Sequence, residues 1–150
     1  MKMFANTNDF LAGRKQVKTP SGGELVSVRF ALNLKTTDLV TNGVGAIGIL
    51  PPGTVPVSLI FDSDDLDTNA APTVVASVGL LNDAGTDLAT VWVAGITACQ
   101  SGAAFSGTST AMVREAQSLT SDRKIGIKFT TGAASAQAGE VGLTLIYRSA

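Results

Sequence analysis

Three stretches of this chain alternate apolar residues with polar or small ones at a period of two, and none sustains a helical period. In residues 24–35, Val26, Val28, Phe30, Leu32 and Leu34 face one way, with Ser27, Arg29, Ala31, Asn33 and Lys35 opposite. Ile125, Ile127 and Phe129 alternate with Lys124, Gly126 and Lys128; Val141, Leu143, Leu145 and Tyr147 alternate with Glu140, Gly142, Thr144 and Arg148. Such a period puts one set of side chains on a buried sheet face and the other toward solvent or a partner. Apolar residues make up 45% of the chain but aromatics only 5%, so the core must be built of Val, Ile, Leu and Ala. Short alternating runs separated by Gly-rich turns predict an all-β, single-domain antiparallel β-sandwich or jelly-roll-like barrel. At this length one domain buries roughly 70% of its unfolded surface.

Residues 1–23 lack periodicity, end in Thr19-Pro20-Ser21-Gly22-Gly23, and predict an extended N-terminal arm; residues 24–150 form the β domain. Thr36 to Val40 predicts one helical turn. Strands follow over 44–50 and 55–61, the second with Val57, Leu59 and Phe61 inward and Pro56 at an edge or strand start. A strand over 73–81 leads through the turn Asn82-Asp83-Ala84-Gly85 into a partner over 88–93. Residues 94–100 fit a short helix, 101–110 a loop, and 111–117 a strand. Seven or eight strands result, with no domain boundary and no internal repeat.

The chain has no histidine, which removes the commonest general base and metal ligand, and hydrolytic triads and Cys/His zinc sites with it. Cys99 is the only cysteine and reads as a buried, inert thiol. The cluster Asp62, Asp64, Asp65 and Asp67 departs from the EF-hand spacing and reads as a solvated acidic turn rather than a calcium site. All four lie on one loop, unlike paired glycosidase carboxylates. Trp92, between two valines, reads as packing rather than a carbohydrate platform. The glycines of Val44 to Gly48 read as close backbone approach in a strand, not a dinucleotide fingerprint. No catalytic, cofactor-binding or metal-ligating residue is assigned, and an enzyme is not expected.

Charge is uneven along the chain. Residues 1–35 carry six cations against Asp9 and Glu24, whereas residues 36–113 carry seven aspartates and no Lys or Arg. The net charge of −1 argues against sequence-independent binding of nucleic acid. A basic amino end and an acidic middle suit contacts between copies, or the aspartates simply occupy turns, where they are favoured. No apolar run approaches the 18 or so residues of a membrane span, and the first residues lack the apolar core of a signal peptide. A soluble product made in the cytoplasm, with no membrane partner, is expected.

Several short motifs carry a resemblance. They are Asp122-Arg123, Ile125-Gly126, the loop Thr130-Thr131-Gly132-Ala133-Ala134, and Gly139 leading to Leu143-Thr144-Leu145 and Tyr147-Arg148. Upstream, Gly48 to Val57 running into Asp62 to Asp67, and Val78 to Thr86, fit as well. Together they cover roughly residues 44–87 and 117–149, while 88–116 contributes nothing. This pattern resembles a family of small virion proteins of tailed bacteriophages that accompany the major capsid protein as head decoration, or cement, proteins. The resemblance implies a structural protein on the capsid surface, with the major capsid protein as partner and self-association as a homotrimer. A carbohydrate- or surface-binding β-sandwich module on a phage tail or capsid is the competing function.

The arm supplies the expected capsid-binding residues: the apolar anchors Phe4, Phe10 and Leu11 and the basic cluster Arg14, Lys15 and Lys18. Extended, about 20 residues reach roughly 65 Å, beyond the roughly 30 Å breadth of a domain this size. The arm can thus cross to a neighbouring subunit, and its removal should leave the domain folded.

Overall fold

A computed structural model describes residues 2–116, 118 and 120–150. It contains nine strands: β1 (Lys2–Met3), β2 (Leu25–Leu34), β3 (Gly43–Leu50), β4 (Thr54–Ser63), β5 (Val75–Leu81), β6 (Leu88–Ile96), β7 (Ala104–Gly107), β8 (Arg123–Thr131) and β9 (Gly139–Ser149). One sheet has the order β1-β3-β8-β5-β6 and the other β2-β9-β4-β7. Apart from the short parallel pair β1–β3, every pairing is antiparallel.

The pairing is nested. Leaving β1 aside, the first strand pairs the last (β2–β9), the second the next to last (β3–β8), the third β4–β7, and the two middle strands pair each other (β5–β6). A single long hairpin rolled over onto itself gives this pattern, which is the jelly-roll form of a two-sheet sandwich. Both forms expected from the sequence thus merge into one.

The alternation sets the core. Phe30, Leu32 and Leu34 of β2, Ile125, Ile127 and Phe129 of β8, and Val141, Leu143, Leu145 and Tyr147 of β9 are all buried. Leu59 and Phe61 of β4 join them, but Val57 does not, because a bulge between Pro56 and Ser58 resets the alternation. Pro56 itself points inward opposite Tyr147. At Gly48 an added Cβ would overlap the Phe30 ring, so this glycine lets the sheets approach.

The turn at Asn82 forms as expected: the Asn82 side chain accepts from the amides of Thr86 and Asp87, and Gly85 takes φ +70°. Thr36–Asp38 is a single 3₁₀ turn. Two expectations for the region after β6 fail. The loop 101–110 contains β7, and the strand over 111–117 is instead the short helix α1 (Thr110–Val113), capped by Ser109, whose hydroxyl accepts from the Met112 amide at 3.1 Å. Gln117, at the end of that expected strand, and Met1, at the start of the arm, lie outside the described residues. The supposed helix over 94–100 shrinks to a 3₁₀ turn at Ala98–Gln100, because β6 runs on to Ile96.

Candidate functional site

The arm lies along its own domain. The amide of Phe4 bonds Val44 O, and the Phe4 ring packs against Phe129 with centroids 5.8 Å apart. At Gly45 a side chain would overlap the Phe4 ring. Phe10 meets Phe30 edge-on at 4.9 Å. Between them Asn8 Nδ2 donates to Ala31 O of β2 at 3.0 Å and Ile47 O of β3 at 2.6 Å, so one amide ties the two sheets together. Asn6 donates to Asn33 O, and Tyr147 OH donates to Lys18 O farther along; burial pushes the Tyr147 phenol up to about 12. The seam between β2 and β3 is thereby closed. The neighbour-filling role expected of Phe4 and Phe10 differs from this placement, in which each ring is used within its own chain. Leu11 is half-buried; Arg14, Lys15 and Lys18 are exposed. Arg14 pairs with Asp9 at 2.9 Å, Lys18 with Glu24 at 3.7 Å, and Lys15 sits over the Phe10 ring.

The acidic loop is not a solvated turn at its centre. Asp67 is 1% exposed, and its carboxylate accepts five backbone N–H groups, from Asn69, Thr73, Val74, Ala134 and Ser135. Burial alone would raise its pKa, but the converging amides outweigh it and hold the carboxyl well below the usual range. Asp67 thus staples the loop after β4 to the loop between β8 and β9. The other acids are also engaged locally. Asp62 forms a two-point contact with Arg29 at 2.6 and 3.2 Å, while Asp64 and Asp65 accept the amides of Glu140 and Asp67. Asp87 meets Lys128 at 2.8 Å, a hydrogen bond that lowers its pKa. Contacts within turns and loops engage most of the acidic middle. Among the described residues no three carboxylates or thiols are grouped to hold a metal ion, and no helix is long and apolar enough to cross a membrane.

Trp92 is 2% exposed and donates Nε1–H to Glu115 at 3.0 Å, so its ring offers no stacking platform. Cys99 is fully buried, and burial pushes its thiol up to about 11. A groove of about 610 Å³ opens between Met3, the 82–85 turn, Glu115 and Arg123. Arg123 spends its Nη groups on the carbonyls of Ala116 and Thr54.

A charge-free segment lies at the sheet edges opposite β1 and β2. Residues 88–113, which make β6, β7 and α1, contain no charged residue. Val91, Phe105 and Val113 of this segment, with Ile60 of the adjoining β4, are between 36% and 46% exposed. Sequence reasoning missed this side; the absence of charge was visible, but the edge position of β7 was not.

No protein-family model and no curated protein matches the sequence. Solved structures do. The chain is similar to a chain of the capsid of Ralstonia phage GP4, with a TM-score of 0.85 and 28% identity over 96% of this chain and 97% of that one. The capsid asymmetric unit of cyanophage Pam1 contains a similar fold, with a TM-score of 0.68 and 20% identity over 97% and 99%. So does the acid-stable capsid of the Helicobacter pylori bacteriophage KHP30, at 0.51 and 16% over 85% and 93%. The likeness to the GP4 chain is end to end and supports a structural virion role. All three matched structures are of phage capsids.

Proposed function

We propose that this protein decorates the outside of an assembled phage head, binding the major capsid protein as a homotrimeric cement. The single observation that carries the reading is the near-complete structural likeness to a capsid chain of phage GP4, joined to the family resemblance of residues 44–87 and 117–149. The folded-back arm favours decoration over shell building. Within these residues the segment outside the sandwich closes its own β2–β3 seam and is not free to interlock neighbours. A compact block of this kind adds contact area to a lattice made by another chain. Many modest contacts repeated over a closed shell resist internal pressure together, because avidity multiplies them. Leu11, Arg14, Lys15 and Lys18 remain outward on the arm and are assigned to the attachment surface; Phe4 and Phe10 act through them by holding the arm in place. A glycan-binding module is disfavoured by the burial of Trp92.

The test is addition of purified protein to heads lacking it. Saturable binding at hundreds of copies per particle, with a raised disruption temperature, is expected. Binding at a handful of copies at a tail or vertex would overturn the reading. Light scattering of the free protein tests the trimer.

A further inference from the structure

We infer that the free edge of β7 is a strand-addition site that takes an extended, non-acidic segment of the shell-forming capsid subunit; this rests on the decoration reading above. The register shows which backbone groups are free. Ser63 donates its amide to Ala103 O, and Asp62, Phe61, Ile60 and Leu59 stand opposite Ala104, Phe105, Ser106 and Gly107. Antiparallel pairs alternate between bonded and non-bonded, so Phe105 and Gly107 bond β4, while Ala104 and Ser106 turn their N–H and C=O outward. Among the described residues nothing outside the sheet bonds the backbone of either. Both side chains are exposed, and α1 packs on β4 and β6 rather than on this edge.

The other sheet edges carry defences that β7 lacks. Asn6 and Asn8 cap the Asn33 and Ala31 carbonyls of β2, which also bears the charged Arg29, β3 is covered by β1 and the arm, and β6 is broken by three register shifts against β5. Bulges, side-chain caps and charge are the usual defences of an edge strand; an uncharged flat one is a template for another strand. Residues 88–113 carry no charge, while Asp62 stands opposite Ala104 and Asp65 lies against Gly102, so an acidic incoming strand would lose hydration and meet like charge. The partner segment is therefore extended and non-acidic.

A second copy of this chain fits less well. Identical strands pair antiparallel only about a two-fold axis, which a trimer lacks. Four residues also fall far short of the roughly 800 Å² per partner that a stable standing contact buries. The chain's own arm is already engaged. A short strand contact suits a lattice, where neighbouring contacts hold the segments close.

Shells stripped of the protein, mixed with the unaltered protein, Ser106→Pro and Ala104→Lys, test the inference. Proline is tolerated at an edge position whose N–H faces away from its partner strand, so Ser106→Pro should fold, melt and sediment as the unaltered protein does. Shell binding should weaken at least tenfold for both variants, and the amides of Ala104 and Ser106 should exchange quickly in free protein and slowly on shells. Full-strength binding by both variants overturns the inference alone. So does slow exchange at these amides in the free oligomer, which would put a second copy on the edge, or a markedly lowered melting temperature for Ser106→Pro. If the unaltered protein fails to bind shells, the decoration reading falls and this inference with it.

Discussion

The two flanks of the sandwich solve the same problem in opposite ways. On the β2–β3 flank the arm covers the seam with two aromatic rings and caps carbonyls with Asn6 and Asn8. On the β6–β7 flank a charge-free segment leaves the β7 edge bare and several apolar side chains half in water. A flank closed by its own chain contributes to stability; the other keeps backbone groups of β7 free for pairing. Position in the sequence gives no hint of this division. Phe4 and Phe10, singled out as anchors for a neighbour, pack on their own sheets, while the uncharged segment 88–113 carries exposed apolar side chains.

The strongest way to break the comparison is to delete residues 2–18. With Phe4 and Phe10 gone, two half-buried rings at about 2 kcal/mol each are lost, roughly 4 kcal/mol in all. A melting temperature lower by roughly 8–16 °C is expected for a domain of this size. A drop under 3 °C, read by calorimetry, would show that the arm is ornamental and the flank was never sealed by it.

The open flank has its own support. The 3₁₀ turn that launches β7 hangs from the acidic loop through Leu66 N to Cys99 O, and through Gln100 to Val74 O. Asp67→Ala removes the acceptor of five amides and should cost roughly 3 kcal/mol, near the top of the range for unsatisfied buried groups. Acid should act in the same direction. Asp67 has a carboxyl held lower in the folded than in the unfolded state, where it titrates near 3.9. Its stabilisation is in full force above about pH 5 and fades as the pH falls below about 4 toward the folded value. The unaltered protein should therefore lose melting temperature between pH 5 and 2 more steeply than Asp67→Asn; parallel curves would remove Asp67 from the account.

Cys99 can report which flank loosens first. Buried, with a thiol pushed up to about 11, it should resist disulfide-exchange reagents at pH 8 in the native protein. Asp67→Ala should speed labelling more than tenfold, and more than deletion of the arm does. Equal acceleration by both would mean that the flanks open as one.

The smallest effect is expected on the face between the flanks. Arg29 reaches Asp62 across the middle strand β9 only because Gly142 has no side chain there; a Cβ would overlap the guanidinium. Gly142→Ala should displace Arg29 and change stability by less than about 1 kcal/mol, as exposed ion pairs do. A larger loss in urea titration would show that this face is tightly built.

Much of the fold was legible because it is local. Alternation in residues 24–35, 125–129 and 141–147 assigned the buried faces correctly, and Asn82 to Gly85 marked its turn. The bulge at Val57 was hidden, since an extra residue in one strand leaves no mark in composition. The Ser109 cap could have signalled α1, but it sits in a run of Ser, Thr and Gly that reads equally well as loop. Pairing of strands more than a hundred residues apart leaves no trace in one sequence. For the same reason the amides around Asp67, drawn partly from Ala134 and Ser135, and the partners of Asn8 in β2 and β3 could not be foreseen. The arm residues were singled out for their chemistry; where that chemistry is used depends on contacts that only the fold reveals.

The nested pairing has a consequence for how the chain is made. Leu25 finds its neighbour at Arg148 and Leu34 at Gly139, so the first long strand waits for the last. During synthesis only the middle hairpin of β5 and β6 can close early; each outer pair must then bridge a longer loop at a rising entropic cost. High contact order of this kind makes folding slow. For most of translation the apolar faces of β2 and β3 stay uncovered, at the time when chaperones have most to act on. A growing chain halted before residue 139 lacks β9, and with it the strand that holds β2 and β4 together.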